Sequence, residues 1–292
     1  MLDMRDLECL SALARCRHFA RAAEECGLSQ PAFSMRIRNL EERLSTQIVK
    51  RGNRYQGLTA EGEIVLARAR DILGQIRSLE EEVQSAKGDV SGPLKLGVIP
   101  TAAAYAAGVA RKLRVSHPGI RMRVDTTNSL SLQQGLEDGR FDAALSYSEG
   151  VASTTLRVEE LYQERYVLMV PRALHKGQVS MTWSDAAALP LILLEPEMQN
   201  RRILDQVFAD VGVAPAVVAE TDGFTATLAM AAEGLGAAVL PEVLVEKLGH
   251  SDRVVVVPLI EPETARSVSL ITSRRPQGIP VIEALRSVLF DN

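Results

Sequence analysis

Pro31 narrows what this chain can fold into more than any other residue. It follows Ser29 and Gln30 and leads an apolar series, Phe33, Ile37, Leu40 and Leu44, at helical spacing. Proline is tolerated in a helix only in its first turn, and serine is a favoured N-cap, so a helix starts here. Upstream, Gly27 can adopt the positive φ that ends a helix in a tight turn. Ala22 and Ala23, just before it, are small enough to let another helix approach closely. Leu7, Leu10, Leu13 and Ala14 give residues 4–16 one apolar face. The reading is a first helix, then helix, three- or four-residue turn, helix. A solvated helix on an ordinary bundle is the competing reading. It does not account for the small-residue helix, the glycine turn and the Ser-Gln-Pro start occurring together.

The face opposite the apolar series presents Pro31, Ser34, Met35 and Arg38, with Gln30 at the exposed N-terminal end and Arg36 at one edge. Short polar groups and an amide near a helix N-terminus suit a recognition helix in the major groove. Gln can bond adenine in two places, and Arg can pair with guanine or with phosphate. Beyond the helix, Lys50-Arg-Gly-Asn-Arg-Tyr-Gln-Gly-Leu-Thr59 has two glycines and three basic residues and reads as a hairpin tip. Lys50, Arg51 and Arg54 there, together with Arg36, suit phosphates, which supply affinity with little sequence information. Charge agrees: the net charge is −4, yet residues 34–54 hold 6 basic against 2 acidic side chains. A confined basic strip on an acidic chain points to a local polyanion contact.

These residues carry a resemblance. Residues 5–62 resemble the DNA-binding domain of LysR-type transcriptional regulators, through Leu28-Ser-Gln-Pro-Ala-Phe-Ser-Met-Arg-Ile-Arg-Asn-Leu-Glu41, Arg51 and Leu58-Thr-Ala-Glu-Gly62. Where the family usually has Leu-Gly after the recognition helix and Leu-Phe before the wing arginine, this chain has Ser45-Thr46 and Ile48-Val49. The resemblance implies a winged helix-turn-helix, a repressor or activator bound to a partly palindromic site on double-stranded DNA, a homodimer or homotetramer, and RNA polymerase as a further partner.

From Ala60 to about Lys87 there is no proline. Val65, Ala69, Ile72, Ile76, Leu79 and Val83 fall at spacings of 4 and 3, an a/d seam suited to pairing two chains. A core helix within one chain is the alternative. Residues 1–62 are thus expected as the reader and 63–88 as a linking, dimerising helix, with Gly88-Asp-Val-Ser-Gly-Pro93 as a hinge.

From Leu94 onward strands alternate with helices, which predicts parallel sheets covered by helices on both faces. The expected fold class is α/β behind an N-terminal all-α winged helix-turn-helix. Residues 89–292 resemble the family's effector-binding domain, itself similar to periplasmic solute-binding proteins. That implies one lobe of 94–163 with 267–292 and a second of 164–266, with crossings near Leu161–Glu164 and Ala265–Val268. In such sheets ligands sit beyond the carboxyl ends of strands, at helix N-termini. Thr101, Asn128, Ser129, Tyr147, Gln199, Asn200 and Phe224 occupy those places, and each polar one also suits a simple cap. Several helix N-termini favour an anion, so a small carboxylate or inorganic anion is the expected effector.

Catalysis finds no support. His18, His117, His175 and His250 are scattered without metal-ligand spacing, no Gly-x-Ser-x-Gly elbow exists, and Gly234-Leu-Gly236 lacks the third glycine of a dinucleotide loop. No metal or cofactor is expected. Cys9, Cys16 and Cys26 are an odd set without Cys-x-x-Cys spacing and read as small apolar core residues, with a redox sensor as the alternative. A free-standing solute-binding protein is disfavoured by residues 1–62. The acidic start of the chain and its short apolar runs predict a cytoplasmic protein without a membrane span.

Overall fold

The computed structural model describes residues 2–50, 55–85, 90–149, 151, 154–274 and 279–290. Its N-terminal part is three helices, α1 (Met4–Cys16), α2 (Phe19–Glu25) and α3 (Gln30–Leu44). Gly27 sits at φ 66° in the turn between α2 and α3. The Ser29 hydroxyl caps α3 by accepting from the Ala32 amide, and Pro31 lies in the first turn. α3 buries Phe33, Ile37 and Leu40 against Leu10, Leu13 and Ala22. Each such side chain contributes about 1.5–3 kcal/mol by leaving water.

Beyond α3 the chain turns back through a short antiparallel ladder. Val49 bridges Leu58, and the Lys50 amide donates to the Gly57 carbonyl at 3.0 Å. The Glu41 carboxylate braces this ladder by accepting from the Ile48 and Val49 amides at 2.8 and 3.0 Å. The Thr59 hydroxyl accepts from the Gly62 amide and starts α4 (Ala60–Ser85). Gly62 is required there, because a Cβ would lie 2.2 Å from the Ile48 carbonyl oxygen.

The remainder is built on β1 (Ser91–Val98), α5 (Ala103–Ser116, after a 3-10 turn at Pro100–Ala102), β2 (Gly119–Thr126), α6 (Ser129–Glu137), β3 (Ala143–Tyr147) and β4 (Leu156–Pro171). There follow β5 (Met181–Thr182), α7 (Trp183–Ala187), β6 (Pro190–Leu194), α8 (Gln199–Val211), β7 (Ala216–Thr221), α9 (Phe224–Ala232) and β8 (Ala237–Pro241). The chain ends with α10 (Glu242–Leu248), β9 (Val254–Ile260), β10 (Ala265–Ser273) and α11 (Ile279–Phe290). The strand order is β2-β1-β3-β10-β4-β8-β6-β7, with β9 on β4. One apolar core lies around Leu96, Val98, Leu145, Leu270 and Leu285. Others lie around Leu168, Trp183, Leu193 and Phe208 and around Met169, Ile192 and Leu240.

Two expectations are corrected, on the sheets and on the hinge. The sheets are mixed: β1 is parallel to β2 and β3, and β6 to β7 and β8, but β10 and β4 run antiparallel to their partners. At the first expected crossing the chain is one continuous strand: β4 pairs with β10 from Leu156 to Arg165 and then passes on to β8 and β9. The hinge loses its C-terminal half to β1, which pairs with β2 from Ser91. Pro93 is tolerated in this strand because β3 reaches β1 only at Leu96–Val98, which leaves the proline's missing N–H on an open side. Among the described residues no helix is long and apolar enough to cross a membrane.

Candidate functional site

The exposed face of α3 carries Gln30, Pro31, Met35 and Arg38 outward, with Ser34 partly covered. Met35 is 60% exposed on the face of this helix turned away from the core. Ser34 and Arg38 share an open groove with Gln47 and Lys50 at the base of the hairpin. Arg51 and Arg54 lie outside the described residues. Arg36 is engaged within the chain: its guanidinium donates to Asp6 at 2.9 Å and to Asp3 at 3.2 Å. Asp6 is 1% exposed and also accepts from Arg43 at 2.9 Å. These four side chains fasten the start of α1 to α3. The two carboxylates hold the Arg36 guanidinium above its ordinary pKa, and the Arg5 amide and Arg36 hold the Asp3 carboxyl below its own.

The seam of α4 divides. Ala69 is buried and Val65 half-buried against the reader's own core, beside Leu66. Ile76 is half-buried, while Ile72, Leu79 and Val83 project to the surface. The first two seam positions thus serve this chain's packing and the later turns leave an apolar stripe outside. Arg70 of α4 donates to Asp138, the C-cap of α6, at 2.5 Å.

In the sensing half, six of the seven expected residues converge. Thr101, Asn128, Tyr147, Gln199, Asn200 and Phe224 line one cavity of about 240 Å³, reached from the carboxyl ends of β1, β2, β3, β6 and β7. Asn128 is also a cap, accepting from the Ser131 amide at 2.8 Å. Ser129 faces the adjoining groove with Arg202 and Arg266. It donates to the Gln199 side chain at 2.6 Å and accepts from Ser146 at 3.0 Å, which ties α6 to α8 across the cleft. Asn200 is 5% exposed, yet neither Oδ1 nor Nδ2 has a hydrogen-bond partner among the described residues.

Sequence reasoning missed Glu164, Glu197 and Met198. Glu197 and Met198 line the cavity, Glu197 at its exposed mouth. Glu164 stands behind Tyr147, whose hydroxyl donates to Oε1 at 2.6 Å; Oε2 has no partner among the described residues. Burial pushes its carboxyl up to about 7, against the lowering effect of the Tyr147 and Thr101 hydroxyls. Burial, then the neighbouring Glu164, raise the Tyr147 phenol above its ordinary range. A signal existed: Tyr162, Glu164 and Tyr166 alternate along β4, so a strand reading places all three on one face. No group of three or more His, Cys, Asp or Glu is placed to hold a metal among the described residues.

Comparison with known proteins agrees with this layout. Residues 4–63 match the bacterial regulatory helix-turn-helix proteins of the lysR family, and residues 87–292 match the LysR substrate binding domain. The chain is 31% identical over 280 residues to a hydrogen peroxide-inducible genes activator of Pectobacterium carotovorum subsp. carotovorum, covering 92% of this chain and 90% of that protein. It is 30% identical to the DNA-binding transcriptional dual regulator OxyR of Escherichia coli, covering 92% and 89%. A full-length OxyR variant from Pseudomonas aeruginosa superposes with a TM-score of 0.78 at 25% identity, covering 99% of this chain and 95% of that one. A helix-turn-helix with a capped, outward-facing α3 is joined by α4 to a mixed α/β half that encloses a cleft cavity. With both parts matched along nearly its whole length, this chain belongs to the LysR-type transcriptional regulators.

Proposed function

We propose that the chain binds a partly palindromic promoter site as a homodimer or homotetramer in the cytoplasm, in reach of RNA polymerase, and that a small molecule in the cleft cavity sets its hold on DNA. In this reading residues 1–62 read DNA, 63–88 link and dimerise, and 89–292 sense, with 94–163 and 267–292 in one lobe and 164–266 in the other. Gln30, Pro31, Ser34, Met35 and Arg38 inspect bases, while Lys50, Arg51 and Arg54 hold phosphates. Arg36 positions α3 through Asp6. Ile72, Leu79 and Val83 supply the contact between chains, with Ile76 at its edge.

The observation that carries this reading is the path through α6. Its N-terminus, Asn128 and Ser129, faces the cleft, and its C-cap, Asp138, is bonded to Arg70 of α4. A ligand that favours one seating of α6 therefore biases α4, and α4 sets the spacing of the paired α3 helices. Anisotropy with labelled upstream DNA tests it. Sequence-selective binding that shifts when a ligand stabilises the protein is expected; absence of any sequence preference refutes it.

The relatives' names raise peroxide as a signal. Cysteine-based peroxide sensing needs a reactive thiolate. This chain has no cysteine beyond Cys26, and burial pushes the Cys9 thiol up to about 12. A cysteine switch therefore has no place in the sensing half, and reversible binding is the reading adopted for it. The anion expected from helix N-termini has little support in the cavity, whose described lining holds Glu197 and no Lys or Arg.

A further inference from the structure

We infer that the cleft cavity recognises a small organic cation bearing N–H donors, a protonated amine or an amidinium, through a proton-accepting floor built by Tyr147 and Thr101 in front of the buried Glu164. The inference rests on the reading of this cavity as the effector site.

Hydrogen-bond direction carries it. Tyr147 has one proton, and it goes to Glu164 Oε1 at 2.6 Å. The phenol oxygen then keeps only lone pairs, which face Thr101, 3.4 Å away, the neighbouring Tyr166 hydroxyl and any donor entering the cavity that Tyr147 lines. A ligand meeting this oxygen must donate. Thr101 and Tyr147 are each 2% exposed, so the floor is rigid and water has little room to re-satisfy it. Asn200 adds a second demand. Its amide lines the same cavity, is nineteen-twentieths buried, and has both polar atoms unpartnered among the described residues. Such groups are rare in native interiors, because an unmade buried hydrogen bond is costly.

Charge selects among donors. No arginine or lysine is bonded to Glu164 among the described residues, and its Oε2 lacks a partner there. Glu197 adds a second carboxylate at the mouth. Above pH about 7, where Glu164 is ionised, an anion would enter against both, whereas a cation relieves an uncompensated buried charge. The aromatic faces of Tyr147 and Phe224 add attraction for a cation. The volume of about 240 Å³, on the order of eight waters' share of liquid, limits the ligand to a small molecule.

Thermal unfolding of the full chain, with acetamidine and ethanolamine as cations and acetate and phosphate as anions at matched ionic strength, tests this. Both cations should raise Tm with increasing concentration and the anions should not. Glu164→Gln is isosteric, keeps an acceptor for Tyr147, and should weaken cation binding about tenfold or more. Asn200→Ala should weaken it too. No shift with either cation overturns the inference, as does a Glu164→Gln protein that binds them unchanged. Anions that stabilise instead, with the effect lost in Asn200→Ala, would overturn the charge assignment and leave the cavity as the effector site. A cation shift that survives both substitutions would place the ligand elsewhere and overturn the cavity reading as well.

Discussion

Replacing Glu164 by glutamine should make the protein more stable at alkaline pH, and the size follows from its surroundings. In the unfolded chain the carboxyl titrates near 4.5; in the folded protein burial moves it to about 7. Below pH 4.5 it is neutral in both states and its contribution is intact. Between 4.5 and 7 only the unfolded chain ionises, so the folded state loses ground steadily. Above 7 both are ionised and the loss levels off. At 1.36 kcal/mol for each pH unit the pKa moves, the loss is about 3 kcal/mol. In the Glu164→Gln protein the side chain does not titrate and keeps an oxygen for the Tyr147 hydroxyl. The difference in unfolding free energy between the two proteins should therefore grow across this window by about 3 kcal/mol and be flat on either side. Urea unfolding followed by fluorescence reads it well, since Trp183 is the single tryptophan and is fully buried. A difference that stays constant with pH, or grows as pH falls, would refute the burial argument.

Arg36→Ala should lower stability by roughly 1–3 kcal/mol, because buried Asp6 loses one of two guanidinium donors, whereas Arg38→Ala should leave Tm nearly unchanged and weaken DNA binding. Equal effects of the two on Tm would contradict the division between them. Ser45 closes α3 at φ 49°, ψ 34°, a left-handed conformation that costs a non-glycine residue about 1–2 kcal/mol, so Ser45→Gly should raise stability by about 0.5–1 kcal/mol; a lower melting temperature refutes this. Gln30→Ala should cost roughly 1–3 kcal/mol at one base position only, measured by binding to single-base variants of the site. Arg70→Ala should preserve ligand-free DNA affinity and remove the ligand's effect on it, and a retained effect would rule out the Asp138 contact as the link.

The reader is legible in the sequence because its determinants are local. The turn at Gly27, the cap at Ser29 and the proline in the next turn each act within a few residues, and α1 spans the residues 4–16 and α3 starts after the Ser29 cap that the sequence predicts. The cavity is legible for a similar reason, since strand ends and helix starts can be read one segment at a time. What escapes depends on distant pairing. A sequence reading supports β4 only from Arg165 onward, because Leu156–Glu164 interrupts its apolar positions with Arg157, Glu159, Glu160 and Glu164 and is held as strand by β10. β9 is absent from that reading although Val254–Val257 is a strong β signal, and its Pro258 lies at the end of the ladder with β4. Arg36 reads as a phosphate contact because nothing near it in sequence reveals Asp6, thirty residues away.

The magnitudes explain how a ligand this small can matter to the whole molecule. β4 runs unbroken between the halves, so the halves do not separate freely, and Glu164 lies on β4 where it leaves β10 for β8. Across the cleft, Ser129 and Gln199 make a side-chain bond at 2.6 Å, worth about 0.5–1.5 kcal/mol between neutral groups. A tenfold change in the balance of two seatings takes about 1.4 kcal/mol. One or two hydrogen bonds gained in one seating of α6 and not the other therefore suffice to shift the population. The contact that joins α6 to α4 lies at the far end of the same nine-residue helix. A regulator built this way needs no thiol chemistry in its sensing half; it needs a ligand whose donors fit the acceptors left by Tyr147 and Glu164.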